Sequence, residues 1–93
     1  MHFVWDEEKN RQNLTKHKVS FERARLVFED PLHISIPDPF EEEERWRTMG
    51  LVNGVVILLV VHTLQEQDGE ETIRIISARK ATRIEREAYD ASR

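Results

Sequence analysis

The dipeptide Asn53-Gly54 constrains the fold more than any other feature of the sequence. It separates two β-rich runs, 45–52 and 55–63, and a third run follows at 71–77. An Asn-Gly pair between such runs indicates a tight hairpin, because both central residues of the favoured turn adopt positive φ angles. The pattern therefore predicts a small antiparallel β-meander in the second half of the chain.

A two-residue turn would also decide which side chains share a face of the sheet. Val52 would pair with Val55, and Arg45 would lie opposite His62. One face would then carry Trp46, Val52, Val55, Ile57, Leu59 and Val61, and the other Arg45, Arg47, Met49, Leu51, Val56, Leu58, Val60 and His62. We interpret one face as core and the other, which is basic at one end, as an open face that bears a site.

Helix signals surround the meander, so we predict a single α+β domain over residues 1–93. An N-cap residue precedes each predicted helix: Asp6 before 7–17, Ser20 before 21–29, and Thr82, at capping-box spacing from Glu85, before the last helix. The last helix is expected to turn Ile84, Ala88 and Tyr89 inward. With 93 residues, 39% of them hydrophobic, the chain is long enough for one core and too short for two.

The first predicted helix is polar, because Leu14 is its only aliphatic residue. One interpretation is a solvated helix that is pinned at its ends by Trp5, Leu14 and Val19. The other is a stripe of hydrogen-bond donors suited to an anion, with members at spacings of three and four residues: Lys9, Asn13, Lys16 and His17. Histidine exchanges a proton near neutral pH, which makes His17 a candidate for proton transfer.

A dense basic cluster lies at the end of the chain, although the formal net charge is -4. Its members are Arg74, Arg79, Lys80, Arg83 and Arg86. These residues either keep the surface charged by pairing with nearby glutamates or bind an anion. Phosphate is the anion that arginine matches best, and the junction 77–80 before the last helix would offer free N–H groups as well. For a phosphate site, the acidic stretches 41–44 and 66–71 are expected to lie elsewhere.

Several classes of protein are excluded by what the sequence lacks. It has no cysteine, and no two of its four histidines have the spacing of a helical metal pair, so we expect no metal site and no cofactor. The three glycines form no phosphate loop and no nucleophile elbow. No secretory signal or membrane-spanning run is visible, which favours a cytoplasmic protein.

Residues along almost the whole chain resemble the BrnT family of ribonuclease toxins from type II toxin–antitoxin modules. The resemblance rests on Trp5-Asp6, Lys9, Asn13, Lys16-His17, Val19, Phe21, Ala24, Phe28, Asp30-Pro31, Arg45, Gly50, the run Arg74-Ile-Ile-Ser-Ala-Arg79-Lys-Ala81, Glu85 and Tyr89. It implies a RelE-like fold, with a small antiparallel sheet, two N-terminal helices and one C-terminal helix. It also implies a BrnA-like ribbon-helix-helix antitoxin partner, a complex that represses its own promoter, and contact with operator DNA through the antitoxin only.

The resemblance further implies cleavage of RNA without a metal ion. Such cleavage needs a base for the 2′-hydroxyl proton, an acid for the 5′-oxygen and cations for the phosphorane. His17 or Lys16 would act as base or acid, Arg45, Arg74 and Arg79 would stabilise charge, and Lys9, Lys80, Arg83 and Tyr89 would hold the strand. Two alternatives remain: a non-catalytic binding module for a DNA-binding partner, and a degenerate toxin that binds only its antitoxin.

Overall fold

The computed structural model describes residues 1–92, so residue 93 of the predicted domain lies outside it. In chain order the elements are β1 (His2–Val4), α1 (Glu7–His17), α2 (Phe21–Ala24), a 3₁₀ helix (Arg25–Glu29), β2 (Ile34–Pro37), β3 (Trp46–Val52), β4 (Val56–Gln67), β5 (Glu70–Lys80) and α3 (Arg83–Ala91). The mixed α+β class and the three N-caps are confirmed. Within the described residues, no helix has the length and apolar character needed to span a bilayer.

The five strands form one sheet in the order β1-β5-β4-β3-β2. Strands β3, β4 and β5 are antiparallel neighbours, as the meander predicted, and β2 adds a further antiparallel strand beside β3, but β1 pairs with β5 in parallel. The expectation of a purely antiparallel sheet is therefore wrong at one edge. The second predicted helix is also divided, because α2 tightens into the 3₁₀ helix after Ala24.

The Asn53-Gly54 turn forms where predicted, but the strand register differs by one residue. Both turn residues have positive φ angles, 54° and 67°, and the Val55 N–H donates to the Val52 carbonyl at 3.1 Å. Val55 then stays outside the ladder and 80% exposed, so Val52 pairs with Val56 and Trp46 lies opposite His62. Because side chains alternate between faces, this shift moves every predicted β4 residue to the other face.

The strands of the second hairpin are longer than predicted, and the turn between them is shorter. Strands β4 and β5 continue to a turn at Asp68-Gly69, so most of residues 64–70, which lie between the predicted runs 55–63 and 71–77, belong to the sheet. The ladder shifts register where Val61 pairs with Ser77 and His62 pairs with Ile75, which leaves Ile76 as an extra residue on β5. This β-bulge marks the place where α1 approaches the strand.

One side of the sheet, which we call the first face, carries the main core. It packs Val52, Leu58, Val60, Ile73, Ile75 and Ala78 against Val19, Phe21, Ala24 and Val27 from the helical segment. The 3₁₀ helix packs directly on the backbone of Gly50. A Cβ at this position would lie 2.6 Å from the Val27 oxygen, so a larger residue would not fit without a shift. The helices therefore seal this face.

The polar helix α1 is held to the sheet by buried asparagines and not by Leu14, which is 48% exposed. The Asn13 amide donates to the carbonyls of Val19 and Ala78, both at 2.8 Å, and accepts from the Ala78 N–H at 3.1 Å. Asn10 accepts the Phe21 N–H at 2.8 Å. The two bonds to Ala78 satisfy backbone groups at the edge of β5, as a neighbouring strand would, and the bonds to Val19 and Phe21 tie α1 to the start of α2.

The opposite side of the sheet, the second face, is covered only in part. A smaller cluster of Met49, Leu59, Ala81 and Tyr89 lies under α3, with Ile34, Leu51, Ile57 and Val61 around it. Tyr89 is buried as predicted, but Ile84 is 78% exposed and Ala88 is exposed too, so the prediction that both turn inward is wrong. The rest of this face stays open to charged side chains.

Candidate active site

A groove of about 250 Å³ opens between α1 and the bulged part of β5. It is lined by Lys9, Gln12, Asn13, Lys16, His17, Ile76 and Ser77. The exposed lysines border the groove, and the buried Asn13 lies at its floor, where it binds the strand edge. The structure therefore brings together three predicted site residues, Lys9, Lys16 and His17.

Asn13 does not belong to the predicted stripe of free donors. Both hydrogens of its amide are used by the Val19 and Ala78 carbonyls, and its oxygen accepts the Ala78 N–H. The side chain is 7% exposed. Asn13 positions α1 beside the groove and has no donor left for a ligand.

Four arginines point from the sheet onto the second face. On β5, Arg74 lies opposite Thr63 of β4 and Arg79 opposite Leu59. On β3, Arg47 lies opposite Val61 of β4, and Arg45, two residues before Arg47, is directed to the same face. Arg47 was not among the predicted site residues. Its spacing of two from Arg45 is the signal that would have found it, since alternate strand residues share a face.

Glu43 lies between Arg45 and Arg74. From the sequence, the acidic stretch 41–44 was expected to lie away from these arginines. Its carboxylate is 2.9 Å from the Arg45 Nε and 3.0 Å from the Arg74 Nη2. The hydrogen bond from Arg45 is the largest cause of the lowered pKa of Glu43; burial opposes it, and the hydrogen bond from Arg74 adds to the lowering. The expectation that residues 41–44 all lie away from the site is therefore wrong at Glu43.

Arg79 makes a two-point ion pair with Glu85. The Nη1–Oε1 distance is 2.7 Å and the Nη2–Oε2 distance is 3.0 Å. The Arg79 hydrogen bond is the main reason that the pKa of Glu85 falls to about 2, although burial opposes the shift. Glu85 also accepts the Thr82 N–H at 2.8 Å in a complete capping box.

The strand-to-helix junction differs from the predicted anion site with free N–H groups. The Ala81 N–H donates to the Ile57 carbonyl at 2.9 Å, and the Thr82 N–H donates to Glu85. The chain's own acceptors therefore occupy these two groups.

The remaining predicted RNA-binding residues occupy different settings. Lys80 is exposed at the end of β5, and Arg83 pairs with Glu87 at 3.2 Å on the exposed side of α3. Tyr89 is 1% exposed and donates its hydroxyl hydrogen bond to Asp30, so in this conformation its ring is not on the surface. Burial opposes ionisation of Asp30, but hydrogen bonds from the Leu51 N–H and Tyr89 outweigh it and lower the pKa.

Ser77 connects the groove with the arginines. It lines the groove and also faces Val61 on the second face. Arg79 lies two residues further along the same strand, a separation of about 7 Å at the usual rise of about 3.3 Å per residue. Lys16 and His17 therefore lie beside the strand that carries Arg74 and Arg79.

This arrangement suits charge stabilisation combined with proton transfer. The carboxylates paired with these arginines, Asp38, Glu43 and Glu85, have lowered pKa values and are ionised at neutral pH. They are therefore poor proton donors, which leaves the groove residues Lys16 and His17 as the candidates. Among residues 1–92, no group of three or more His, Asp or Glu side chains is placed to hold a metal ion.

Residues 5–85 match the family model of the BrnT ribonuclease toxins of type II toxin–antitoxin systems. This chain belongs to the BrnT family. The predicted family is thus confirmed, and the match covers the groove, the arginines and the start of α3.

The crystal structure of the Brucella abortus ribonuclease toxin BrnT, at 1.1 Å resolution, is similar to this BrnT-family chain. The TM-score is 0.62 and the sequence identity is 31%, over 89% of this chain and 99% of the Brucella chain. Among curated proteins, none matches this sequence. The five-stranded sheet with its three helices is therefore the architecture of a BrnT toxin.

Proposed function

We propose that this BrnT-family protein is a metal-independent endoribonuclease that inhibits translation by cutting RNA. The 2′-hydroxyl of the RNA would attack the adjacent phosphorus, which would form a 2′,3′-cyclic phosphate and release a 5′-hydroxyl end. The observation that carries the proposal is the position of Ser77, where the groove of Lys16 and His17 meets the arginines of the second face. Acid–base groups and phosphate-binding groups then border one strand of the sheet.

Each group has a defined task in this scheme. His17 or Lys16 takes the 2′-hydroxyl proton or returns one to the 5′-oxygen. Arg45, Arg74 and Arg79 stabilise the charge that grows on the phosphorane, with each guanidinium able to give two parallel hydrogen bonds. General acid–base catalysis contributes about 10²–10⁴-fold and removal of one charge-stabilising donor costs about 10²–10³-fold, so both groups matter to the rate.

Lys9, Lys80 and Arg83 serve the RNA strand in a different way. Lys9 lines the groove, Lys80 follows Arg79, and Arg83 is exposed at the first turn of α3. A protein of net charge -4 has little long-range attraction for RNA, so these local cations hold the backbone. Tyr89 was assigned to this group from the sequence, but its side chain is buried under α3 and its hydroxyl donates a hydrogen bond to Asp30.

The partner belongs to the same proposal. As a type II toxin, the protein acts with an antitoxin, which we infer is BrnA-like with a ribbon-helix-helix domain. The antitoxin neutralises the toxin in the cytoplasm, and the complex represses its own promoter, with the antitoxin making the operator contacts. Purification of the two chains together and a promoter-DNA mobility shift with and without each chain test these points.

The decisive experiment incubates purified protein with mixed free RNA in the presence of EDTA, followed by end-group analysis. Fragments with 2′,3′-cyclic phosphate ends are expected from the wild type. Arg79→Ala is expected to lower the rate about 10²–10³-fold because a charge-stabilising donor is lost. His17→Ala is expected to lower it by a similar factor if the imidazole transfers a proton.

Matched controls come from residues of the same type outside both the groove and the second face. Arg11→Ala removes an exposed arginine that also pairs with a carboxylate, Glu8, and His2→Ala removes an exposed histidine. Both are expected to cut at the wild-type rate. Activity that EDTA abolishes and magnesium restores would overturn metal independence, and equal losses in Arg11→Ala and Arg79→Ala would remove the special position of Arg79.

A non-catalytic binding module or a degenerate toxin remains the second candidate, and one observation favours it. Arg45, Arg74 and Arg79 are already paired with carboxylates of this chain. In a pure binding module, Arg79→Ala would weaken antitoxin binding and toxicity together. In the ribonuclease, Arg79→Ala would abolish toxicity while antitoxin binding, measured by co-purification, survives.

A further inference from the structure

The loop between β2 and β3 returns to the second face and inserts a carboxylate between two arginines. Glu43 receives a hydrogen bond from the Arg45 Nε at 2.9 Å and bonds from the Arg74 Nη2 to both of its oxygens at 3.0 Å. Guanidinium groups bind carboxylate and phosphate with the same planar donor geometry. Glu43 therefore occupies the position that an anionic ligand of this arginine pair would take.

Several contacts hold the loop in this position. The Asp38 N–H donates to the Arg45 carbonyl at 2.8 Å and closes the loop at its base. The Asp38 carboxylate pairs with the Arg47 Nε at 2.7 Å, and the Arg45 guanidinium lies 3.7 Å above the centre of the Phe40 ring. The loop thus presents Glu43 to the arginines from a fixed base, whereas its neighbour Glu42 is exposed.

The Glu43–Arg74 ion pair is accessible enough to exchange, and the Glu43–Arg45 pair is less accessible because the Arg45 side chain is 21% exposed. The Glu43 side chain is 37% exposed and that of Arg74 is 43% exposed. Pairs with this exposure are weak in water, so another anion can replace the carboxylate at little cost in free energy. A phosphodiester reaching the second face would find both guanidinium groups already oriented toward an anion.

We propose that the Arg45–Arg74 pair is a phosphodiester-binding site and that Glu43 is its internal competitor. Glu43 keeps the two arginines oriented and neutralised until the RNA backbone displaces it, so the chain limits its own affinity for RNA. The inference rests on the proposed function for the identity of the ligand. It is independent of the cleavage step, since it concerns binding alone.

The test compares Glu43→Gln with Glu42→Gln in binding a fluorescent, fully 2′-O-methylated RNA oligonucleotide that cannot be cleaved through its 2′-oxygens. Each variant removes one negative charge from the same loop, so both change long-range attraction equally. Fluorescence anisotropy at fixed ionic strength is expected to show Glu43→Gln binding about two- to fivefold more tightly than Glu42→Gln. In an Arg74→Ala background, the difference between the two variants is expected to shrink.

Equal affinities of the two variants would overturn the inference, because charge alone would then explain the change. Weaker binding by Glu43→Gln would also overturn it and would make Glu43 a residue that only orients the arginines. Absence of oligonucleotide binding by every variant would overturn it as well. Circular dichroism and a second variant, Glu43→Ser, separate these outcomes from misfolding.

The same variants distinguish this inference from the proposed function. If unmodified RNA is cleaved but Glu43→Gln and Glu42→Gln bind the oligonucleotide equally, the proposal that Glu43 is a competitor is wrong and the proposed ribonuclease function stands. Tighter binding by Glu43→Gln without any cleavage would remove the ribonuclease and leave an RNA-binding site that Glu43 regulates.

Discussion

The two faces of the sheet differ in how their polar side chains are bonded and how far they are exposed. On the first face, Asn13 holds the edge of β5, and Ser35, Thr48 and His62 form a chain of hydrogen bonds at 2.7 Å, whereas the buried Trp46 Nε1 has no hydrogen-bond partner among the described residues. On the second face, arginines are half-exposed and paired with carboxylates from other elements. The first arrangement fixes one structure, whereas the second can exchange partners.

This difference shows where stability and function are separated in a small protein. Buried hydrogen bonds are costly to break, because a group left without a partner loses its contact with water as well. Accessible ion pairs contribute little to stability and can be replaced by a ligand. We therefore expect changes on the first face to alter folding and changes on the second face to alter binding and catalysis.

The largest effect on stability is expected from Asn13→Ala. The change leaves the Val19 carbonyl and both backbone groups of Ala78 without their partner, which costs about 3 kcal/mol of unfolding free energy. Urea denaturation measures it, with Gln12→Ala, the exposed neighbour in the groove, as the control. A loss of less than about 1 kcal/mol would show that water replaces these bonds and that the first face is not sealed at this edge.

A smaller loss of stability is expected from Gly50→Ala on the same face. The added Cβ would lie 2.6 Å from the Val27 oxygen and 2.9 Å from its Cβ, so the 3₁₀ helix has to move. Overpacking of this kind costs about 1–3 kcal/mol, visible as a lower thermal midpoint. Gly69→Asn is the control, because nothing lies within 4 Å of that site and asparagine tolerates its positive φ of 81°. Equal midpoints for Gly50→Ala and wild type would mean that the contact relaxes freely.

The smallest effects are expected from pH, and they separate the two faces. His62 Nδ1 is 3.1 Å from the Thr63 carbonyl and so carries the proton, which leaves Nε2 to accept from Thr48 at 2.7 Å. Burial lowers the pKa of His62 from 6.5, despite the opposing Thr63 bond. The unfolded chain therefore binds the proton more readily, and stability falls as pH drops below about 6.5.

Glu85 on the second face also favours its deprotonated form, but in a lower pH range. Its pKa is lowered from 4.5 to about 2, chiefly by Arg79, so its contribution is complete above about pH 4.5 and is lost toward pH 2. Denaturation between pH 7 and 3 is expected to show a smaller slope above pH 5 in His62→Gln and a smaller slope below pH 4.5 in Glu85→Gln, where Asp30 and Glu43 still contribute because their pKa values are also lowered. A wild-type slope above pH 5 that persists in His62→Gln would assign that window to another group.

Local features of the fold were predictable from the sequence because their signals are local. Asp6, Ser20 and Thr82 each cap the helix that follows, and Asn53-Gly54 forms the turn with two positive φ angles. A cap bonds N–H groups two or three residues away, and a turn needs only the conformational freedom of its own residues. Neither depends on the rest of the chain.

The register of the central hairpin was not predictable in this way. The sequence allowed Val52 to pair with Val55, yet the structure pairs it with Val56. The difference is decided by packing, because the observed register places Leu58 and Val60 under the helices in the main core. Both registers alternate equally well along the strand, so the pattern alone could not choose between them.

The candidate site shows the same division. The basic residues and the polar first helix were identified from the sequence, and the groove of Lys9, Lys16 and His17 brings three of them together. Their partners were not identified, since Glu43 is 31 residues from Arg74 and Ala78 is 65 residues from Asn13. Pairing over such separations depends on how the whole chain closes, which no local signal records.

The sequence by itself determined the family, the caps, the central turn and the charge types available for phosphate. Only the tertiary structure decided that Asn13 faces the strand edge, that Tyr89 is buried, and that Glu43 lies between two arginines. The physical reason is that a side chain carries its chemistry wherever it lies, whereas its partner and its exposure are set by elements distant in the chain.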